Sequence, residues 1–261
     1  MSAELVAGKV NLNNMVSSKV TLQSQPLMVD VKADLRERLL LVAIRLFAER
    51  GVEAVSMRTI NTEAGTKNKS AVHYHFGNKA GILAAIFEWI KERVEPAVED
   101  LWMQIEQRDD KDDMSIQELL LVLYAPLILV QQIPNCGLNI LKLWSKMLLD
   151  SNEDSDYVDD VFQVHLLAVV ERLSKRLPEK NKEHLRFQTI HSVFSFIAGS
   201  ATLDSKIVAG IENAQIEDSQ EMLFAFIDYA SGGISNTQAT QEKIDVDFWE
   251  AYFSKHGVVF E

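Results

Sequence analysis

Residues 68–79 read NKSAVHYHFGNK and gather side chains that could bind a metal, perform catalysis or contact a nucleic acid. Two histidines flank a tyrosine, and lysines and asparagines stand at both ends. Paired histidines suggest a metal ligand or a proton carrier, whereas lysine, asparagine and tyrosine suit a polyanion. The chain carries a formal net charge of −12, so cations concentrated here need a local reason.

The spacing of the histidines argues against a metal site. His73 and His75 are two residues apart, so on a helix they point about 200° from one another and cannot hold one ion. The sequence contains no Glu-x-x-His, G-x-S-x-G, P-loop or G-x-G-x-x-G motif. The single cysteine, Cys136, excludes an internal disulfide and is typical of a small buried hydrophobe. The sequence therefore predicts no metal site and no cofactor, and nothing in it points to an enzyme.

Contact with a nucleic acid accounts for every residue type in the stretch. A short helix over about residues 68–76 would turn Ala71, Val72 and Phe76 inward and expose polar side chains at its amino-terminal end. A recognition helix meets base edges with that end. From Lys32 to Lys91, ten Lys/Arg stand against six Asp/Glu, which suggests a polyanionic partner for this part of the chain.

The elements that must position this stretch are predicted to be helices. Only 5 Pro and 11 Gly occur, and no strand-like alternation competes with the helical periodicity. Asp34 and Glu37 have the spacing of a capping box, and Ser56 suits the start of a second short helix. Three helices in about forty residues are the layout of a helix-turn-helix module.

Longer helices follow the three short ones. One is predicted over about residues 80–107, kinked or split at Pro96, and another begins at the capping box of Ser115 and Glu118. Further helices are expected to the end of the chain, with the longest reaching from Lys182 to about residue 210. No apolar segment approaches the roughly 20 residues of a membrane span, and no secretory signal is evident, so we expect a cytoplasmic protein.

Residues 34–90 resemble the DNA-binding domain of the TetR family of transcriptional regulators. The matching features are AIRLFAERG at the end of the first helix, Ser56 and Arg58 opening the second, Ala64-Gly65 at the turn, and SAVHYHFGNK. The resemblance implies an all-α fold, with an N-terminal three-helix helix-turn-helix DNA-binding domain plus a C-terminal helical ligand-binding and dimerisation domain. The expected boundaries are 1–33 for a flexible arm, 34–79 for the first domain and 80–261 for the second.

The resemblance also implies a function. The chain is expected to be a ligand-responsive regulator, usually a repressor, that binds palindromic operator DNA as a homodimer and is released by a small hydrophobic or aromatic effector. The family pattern assigns base-edge or nearby roles to Ser56, Arg58, Asn68, Lys69, Ser70 and His73. It assigns phosphate roles to Tyr74, His75 and Lys79. The alternatives are packing against the first helix for Tyr74 and His75, and a plain exposed lysine for Lys79.

Two positions depart from the family pattern. The segment Thr66-Lys67-Asn68-Lys69 is one residue longer than the usual turn, which leaves open which side chain meets which base. Asn61 stands where the family commonly has a small alanine that packs the second and third helices together, so it is expected to alter their angle slightly.

The carboxy-terminal part offers an interface and a pocket. Residues 184–203 and 221–230 are apolar over much of the helix circumference, and we expect them to pair with their copies in a four-helix dimer contact; ordinary intrachain core is the alternative. Candidates to line an apolar effector pocket, each with core packing as its alternative, are Trp102, Trp144, Phe162 and His165. A helical enzyme or small-molecule-binding protein with no DNA role, and a family member that binds a protein, remain open alternatives.

Overall fold

The computed structural model describes residues 34–68, 70–149, 156–202, 219–236 and 245–255, and within these ranges the secondary structure is entirely helical. The all-α fold predicted from the sequence is confirmed. In chain order the helices are α1 (Leu35–Arg50), α2 (Met57–Glu63), α3 (Ala71–Phe76), α4 (Lys79–Glu106), α5 (Ile116–Gln131), α6 (Gly137–Leu149), α7 (Asp156–Arg176), α8 (Lys182–Ala201), α9 (Ser219–Ser235) and α10 (Val246–Lys255). The amino-terminal arm expected over residues 1–33 lies outside the described residues.

The first three helices form the compact unit that the sequence predicted. Helix α1 packs on both α2 and α3, and α4 closes the unit by contacting α1 and α3. Each short helix ends at a glycine with positive φ: Gly51 at 83°, Gly65 at 66° and Gly77 at 73°. Glycine adopts this left-handed conformation without strain, so the chain reverses direction within one or two residues.

The start of α1 differs from the prediction. Asp34 makes no side-chain capping bond. The Glu37 carboxylate instead accepts hydrogen bonds from Trp89 Nε1 at 3.1 Å and from an Arg93 guanidinium nitrogen at 2.9 Å. The capping box predicted at this position is therefore wrong, because α4 brings two side-chain donors to Glu37.

Helix α4 is continuous over 28 residues, with Pro96 inside it, so the proline does not split the helix. An interior proline removes one hydrogen bond and crowds the preceding turn, at a cost of about 3 kcal/mol. One face of the helix is apolar, and its residues Ile82, Leu83, Ile86 and Ile90 are all fully buried. Burial of this face against the rest of the protein offsets the cost of the proline.

The carboxy-terminal helices surround α5. Its start is the predicted capping box: Ser115 Oγ accepts from the Glu118 N–H, and the Glu118 carboxylate accepts from the Ser115 N–H. Helix α5 contacts α4, α6, α7, α8 and α9, and α6 packs on both α8 and α1. One hydrophobic cluster runs from Leu39 to Ile234 among the described residues, so the helix-turn-helix unit shares its core with the helices behind it.

Helix α8 ends at Ala201, where the Thr202 N–H donates to the carbonyl of Gly199, short of the predicted end near residue 210. Within the described ranges, every helix is too short or too polar to cross a bilayer.

Candidate nucleic-acid interface

Helix α3 presents two different faces. Ala71, Val72 and Phe76 are buried, as predicted from their spacing. On the other side Tyr74 is 82% exposed, so it does not pack against α1, and His73 is exposed as well. His75 is half-buried, and the Tyr74 and His75 rings meet edge to face at 5.2 Å. The face that points away from the core therefore carries imidazole and phenol groups.

The turn before α3 makes this helix start at Ala71, later than the predicted residue 68. Asn68 Oδ1 accepts from the Ser70 N–H at 3.0 Å, and the Asn68 N–H donates to Thr66 Oγ1 at 3.1 Å. Asn68 and Ser70 are both exposed. The Asn68 amide thus shapes the turn and is not part of the helix. Lys69 lies outside the described residues.

The two residues that the family pattern selected, Ser56 and Arg58, lie at the start of helix α2. Ser56 Oγ accepts from the Thr59 N–H at 3.1 Å and lies 2.8 Å from Thr59 Oγ1. Ser56 and Arg58 are both exposed at this end of the helix. The Ser56 hydroxyl thus caps the helix, and Arg58 places a cation beside it.

Lys79, at the first position of α4, is held by the loop between α1 and α2. Its Nζ donates to the Glu53 carbonyl oxygen at 2.9 Å and lies 3.4 Å from the Glu53 carboxylate. Lys79 is therefore neither a plain exposed lysine nor fully available to a phosphate. Glu53 was missed from the sequence, because the 26 residues between the two positions hide their proximity.

A close approach of backbones joins α3 to α4. Asn78 Oδ1 caps α4 by accepting from the Gly81 N–H at 2.8 Å. A Cβ atom at Gly81 would lie 1.9 Å from the Phe76 carbonyl oxygen, far inside van der Waals contact. Glycine at this position therefore lets the long helix start directly against the end of the short one.

Polar contacts also tie α1 to the helices around it. Lys146 Nζ, on α6, donates to the Glu49 carbonyl oxygen at 2.9 Å, near the end of α1. Arg45, on α1, pairs with Glu49 at 3.4 Å and with Glu63, on α2, at 3.0 Å. Such half-exposed ion pairs each contribute about 0–1 kcal/mol, so they fix orientation more than they stabilise the fold.

A cavity of about 220 Å³ lies among the carboxy-terminal helices α5, α7 and α8. Its lining is mostly apolar, with three polar side chains, and consists of Leu123, Leu127, Gln163, His165, Leu166, Arg186, Ile190, Val193, Phe194 and Ile197. Its lining residues come from three helices and span residues 123–197 of the chain. Sequence periodicity therefore identified only His165 among these residues.

His165 has partners on both ring nitrogens. Trp102 Nε1 donates to His165 Nδ1 at 3.0 Å, so the other nitrogen, Nε2, carries the proton and donates to the Val122 carbonyl at 2.8 Å. Burial lowers the pKa of His165, against the weaker raising effect of the backbone carbonyls. The neutral ring is therefore the form that this site holds.

The four sequence candidates for the effector pocket do not all come together. Trp102 and His165 are in contact, and only His165 lines the cavity. Trp144 is fully buried and stacks on Phe87 with ring centroids 6.1 Å apart, in the core between α4 and α6. The side chain of Phe162 lies outside the described residues.

The groups that could do other chemistry are dispersed. Within the part of the chain that the structure describes, no three His, Cys, Asp or Glu side chains come close enough to hold a metal ion. Cys136 is buried, and burial raises the pKa of its thiol to about 11, so the reactive thiolate is disfavoured.

Part of the chain matches a known protein family. Residues 39–86 match the family model of bacterial regulatory proteins, tetR family. The FadR transcriptional regulator of Bacillus subtilis, solved in complex with stearoyl-CoA, is 16% identical, with a TM-score of 0.51 over 78% of this chain and 99% of that one. A mutant of HlyIIR is 17% identical, with a TM-score of 0.49 over 74% and 93% of the two chains. No curated protein sequence matches the chain.

The matched segment contains the three-helix unit except the first turn of α1, together with the first residues of α4. These are the elements that expose the polar face of α3 and bury its apolar face. Residues 39–86 thus match the amino-terminal domain of bacterial regulatory proteins of the tetR family.

Proposed function

We propose that the chain is a ligand-responsive transcriptional repressor that binds palindromic operator DNA as a homodimer and leaves it when a small hydrophobic or aromatic effector binds. The observation that carries the proposal is the two-sided character of α3. Its apolar side chains are buried, while His73 and Tyr74 face outward beside Ser70. The Tyr74 ring, 82% exposed, is therefore accessible to a partner.

In this proposal, residues 34–79 form the DNA-binding domain and residues 80–261 the effector and dimerisation domain, with residues 1–33 as an arm. The residues that contact base edges or lie near them are Ser56, Arg58, Asn68, Lys69, Ser70 and His73. Those that contact phosphates are Tyr74, His75 and Lys79. A chromosomal partner implies that the protein acts in the cytoplasm.

A duplex selection tests DNA recognition. The full chain is incubated at low salt with a pool of randomised duplexes, and the retained sequences are amplified and read. We expect a palindrome whose half-sites lie about 34–36 Å apart or a multiple of that distance, because a two-fold dimer presents two recognition helices. A chain that retains no sequence preferentially under these conditions has no operator, and the proposal fails.

The dimer contact is proposed on α8 and α9. Large aromatic side chains stand exposed on these helices: Phe187 (61%), Phe194 (42%), Phe224 (42%) and Tyr229 (76%). Exposed apolar groups gathered on neighbouring helices are typical of a protein–protein contact. Pairing of both helices with their copies would cover them in a four-helix contact.

Sedimentation of charged variants tests the contact. Phe187→Asp and Tyr229→Asp together are expected to give a folded monomer, because each carboxylate would have to be desolvated in the interface. Phe248→Asp, which alters a comparably exposed aromatic on α10, is the matched control and should sediment like the unaltered chain. Equal sedimentation of all three proteins would place the contact elsewhere.

The effector is proposed to bind in the cavity beside His165. The cavity volume of about 220 Å³ falls below the roughly 300–1,000 Å³ typical of pockets for drug-sized ligands, which favours a small molecule. FadR of Bacillus subtilis was solved with stearoyl-CoA, whose size exceeds this space, so an acyl-CoA would require the helices to separate. Arg186, exposed at the cavity, favours an effector with an acidic group on an apolar body.

A graded series of carboxylates tests the effector class. Straight-chain acids of four to eighteen carbons are added to the complex of the full chain with its selected duplex, and release is followed by anisotropy. We expect release to be strongest for the short members. Ile197→Phe, which fills the cavity from α8, should abolish release while DNA affinity stays the same. Release that persists in this variant would exclude the cavity as the effector site.

A further inference from the structure

Asn61 connects the two ends of the turn between the helices of the DNA-binding unit. We propose that Asn61 is a positioning residue: its side chain caps the recognition helix α3 from the neighbouring helix α2 and so compensates for the turn that is one residue longer than usual. The consequence for recognition rests on the proposed DNA-binding function. The contact itself does not.

The two oxygens of Asn61 accept hydrogen bonds from the two sides of the turn. Its carbonyl oxygen accepts from the Thr66 N–H at 3.2 Å, where the chain leaves α2. Its side-chain Oδ1 accepts from the Val72 N–H at 3.1 Å, at the second residue of α3. One residue thereby sets where the turn begins and where the next helix starts.

The Val72 N–H depends on this bond. The first N–H groups of a helix have no partner within the helix and need a cap. Ser70 stands at the capping position of α3, yet its side chain makes no capping bond. Val72 is 0% exposed, so its N–H is buried and Asn61 Oδ1 supplies an acceptor where solvent does not reach the residue.

Capping from another helix changes what Ser70 can do. At the start of α2, the Ser56 hydroxyl is occupied by the Thr59 N–H. At the start of α3, the capping acceptor is Asn61 Oδ1 instead. Ser70 stays exposed at the end of α3 that is proposed to face the duplex. The Ser70 hydroxyl is then available to contact DNA without weakening the helix that carries it.

The chemistry of position 61 supports the same conclusion. Asn61 is 3% exposed, and a buried amide lowers stability unless its polar atoms are hydrogen-bonded. An alanine, which the resembled family commonly has here, could not reach Val72. In this proposal the longer turn shifts the start of α3, and the hydrogen bond from the Val72 N–H to the Asn61 amide oxygen fixes the helix in the shifted position.

Hydrogen exchange tests the contact directly. In Asn61→Ala, exchange of the Val72 amide, followed by NMR in the full chain, should be about tenfold faster or more relative to the other amides of α3. Ile60→Val, a core change at the neighbouring buried position, is the matched control for general destabilisation and should leave that ratio unchanged. Asn61→Asp keeps an acceptor oxygen and should keep the Val72 amide protected at neutral pH.

DNA binding supplies the functional readout. For Asn61→Ala, the ratio of affinities for the selected duplex and a scrambled duplex should fall about tenfold, with an unchanged salt slope, because phosphate contacts remain while the helix is misplaced. Ile60→Val should keep the ratio. If Asn61→Ala fails to fold, protection of the Val72 amide in Asn61→Asp provides the test of the capping contact. A Val72 amide that is unprotected in Asn61→Asp, or exchanges normally in Asn61→Ala, overturns the proposal. A protein that selects no duplex refutes the DNA function but not the capping contact.

Discussion

Lys79 and Glu53 allow the electrostatics of the DNA contact to be tested quantitatively. Lys79 has three N–H donors, and two acceptors of Glu53 lie within 3.4 Å of its Nζ. The remaining capacity can meet one phosphate. Each phosphate neutralised on duplex DNA contributes about 0.9 to the slope of log affinity against log salt. Lys79→Ala should therefore flatten that slope by about 0.9.

The expected size of the effect is measurable. When salt is raised from 50 to 200 mM, a slope difference of about 0.9 means that the unaltered chain loses about 3.5-fold more DNA affinity than Lys79→Ala. Glu53→Gln should act in the opposite direction, because it removes a carboxylate that competes with the phosphate for Lys79 and keeps the backbone carbonyl bond. Exposed ion pairs contribute about 0.2–1 kcal/mol, so binding at low salt should tighten by up to about fivefold.

Fluorescence anisotropy with the selected duplex over this salt range provides the assay. Lys91→Ala is the matched control: Lys91 pairs with Glu95 at 3.9 Å and lies twelve residues farther along α4, about 18 Å from Lys79. It should leave the slope unchanged. In the double variant Lys79→Ala/Glu53→Gln, the gain from Glu53→Gln should shrink toward zero. The reasoning is refuted if Lys79→Ala and the unaltered chain have equal slopes.

Three further predictions concern stability. Glu37→Ala should lower the free energy of unfolding by about 1–3 kcal/mol in urea titrations, because the Trp89 indole N–H, on a residue only 8% exposed, loses its acceptor; no change would mean that water replaces the carboxylate. Because burial lowers the pKa of His165 below its ordinary 6.5, the unfolded state takes up the proton first, so the chain should lose stability as the pH falls below 6.5, by at most about 1.4 kcal/mol per pH unit from this group. His165→Gln should remove that share of the pH slope, and equal slopes for both proteins would contradict the assignment. Ser115→Ala should lower the free energy of unfolding by about 1 kcal/mol through loss of the capping box, with Ser174→Ala on α7 as the control. An equal loss in both variants would mean that the capping box does not account for the effect.

Local patterns in the sequence predicted most of the DNA-binding unit. The apolar spacing of Ala71, Val72 and Phe76 indicated which face of α3 is buried, because residues four apart share one side of a helix. The Ser115–Glu118 pair predicted a capping box, since both partners lie within one helical turn. Such signals depend on neighbours in the chain, which the sequence displays.

The contacts that the sequence did not show have the opposite character. Asp34 and Glu37 have the right spacing for a cap, yet Glu37 bonds to Trp89, 52 residues away. Trp144 has the composition of a pocket residue, but its position against Phe87 in the core depends on how α4 and α6 pack. The cavity beside His165 exists only where three helices leave a space. Each outcome depends on groups that the fold brings together.

The sequence by itself thus determined the helical fold, the caps at Ser56 and Ser115 and the polar face that α3 exposes, since these follow from interactions within a few residues. Only the tertiary structure decided that Lys79 shares its charge with Glu53, that the Asn61 side chain bonds to the start of α3, and where a cavity lies among the carboxy-terminal helices. Hydrogen bonds and cavities of this kind form between segments far apart in the chain, so their partners are selected by packing rather than by local spacing.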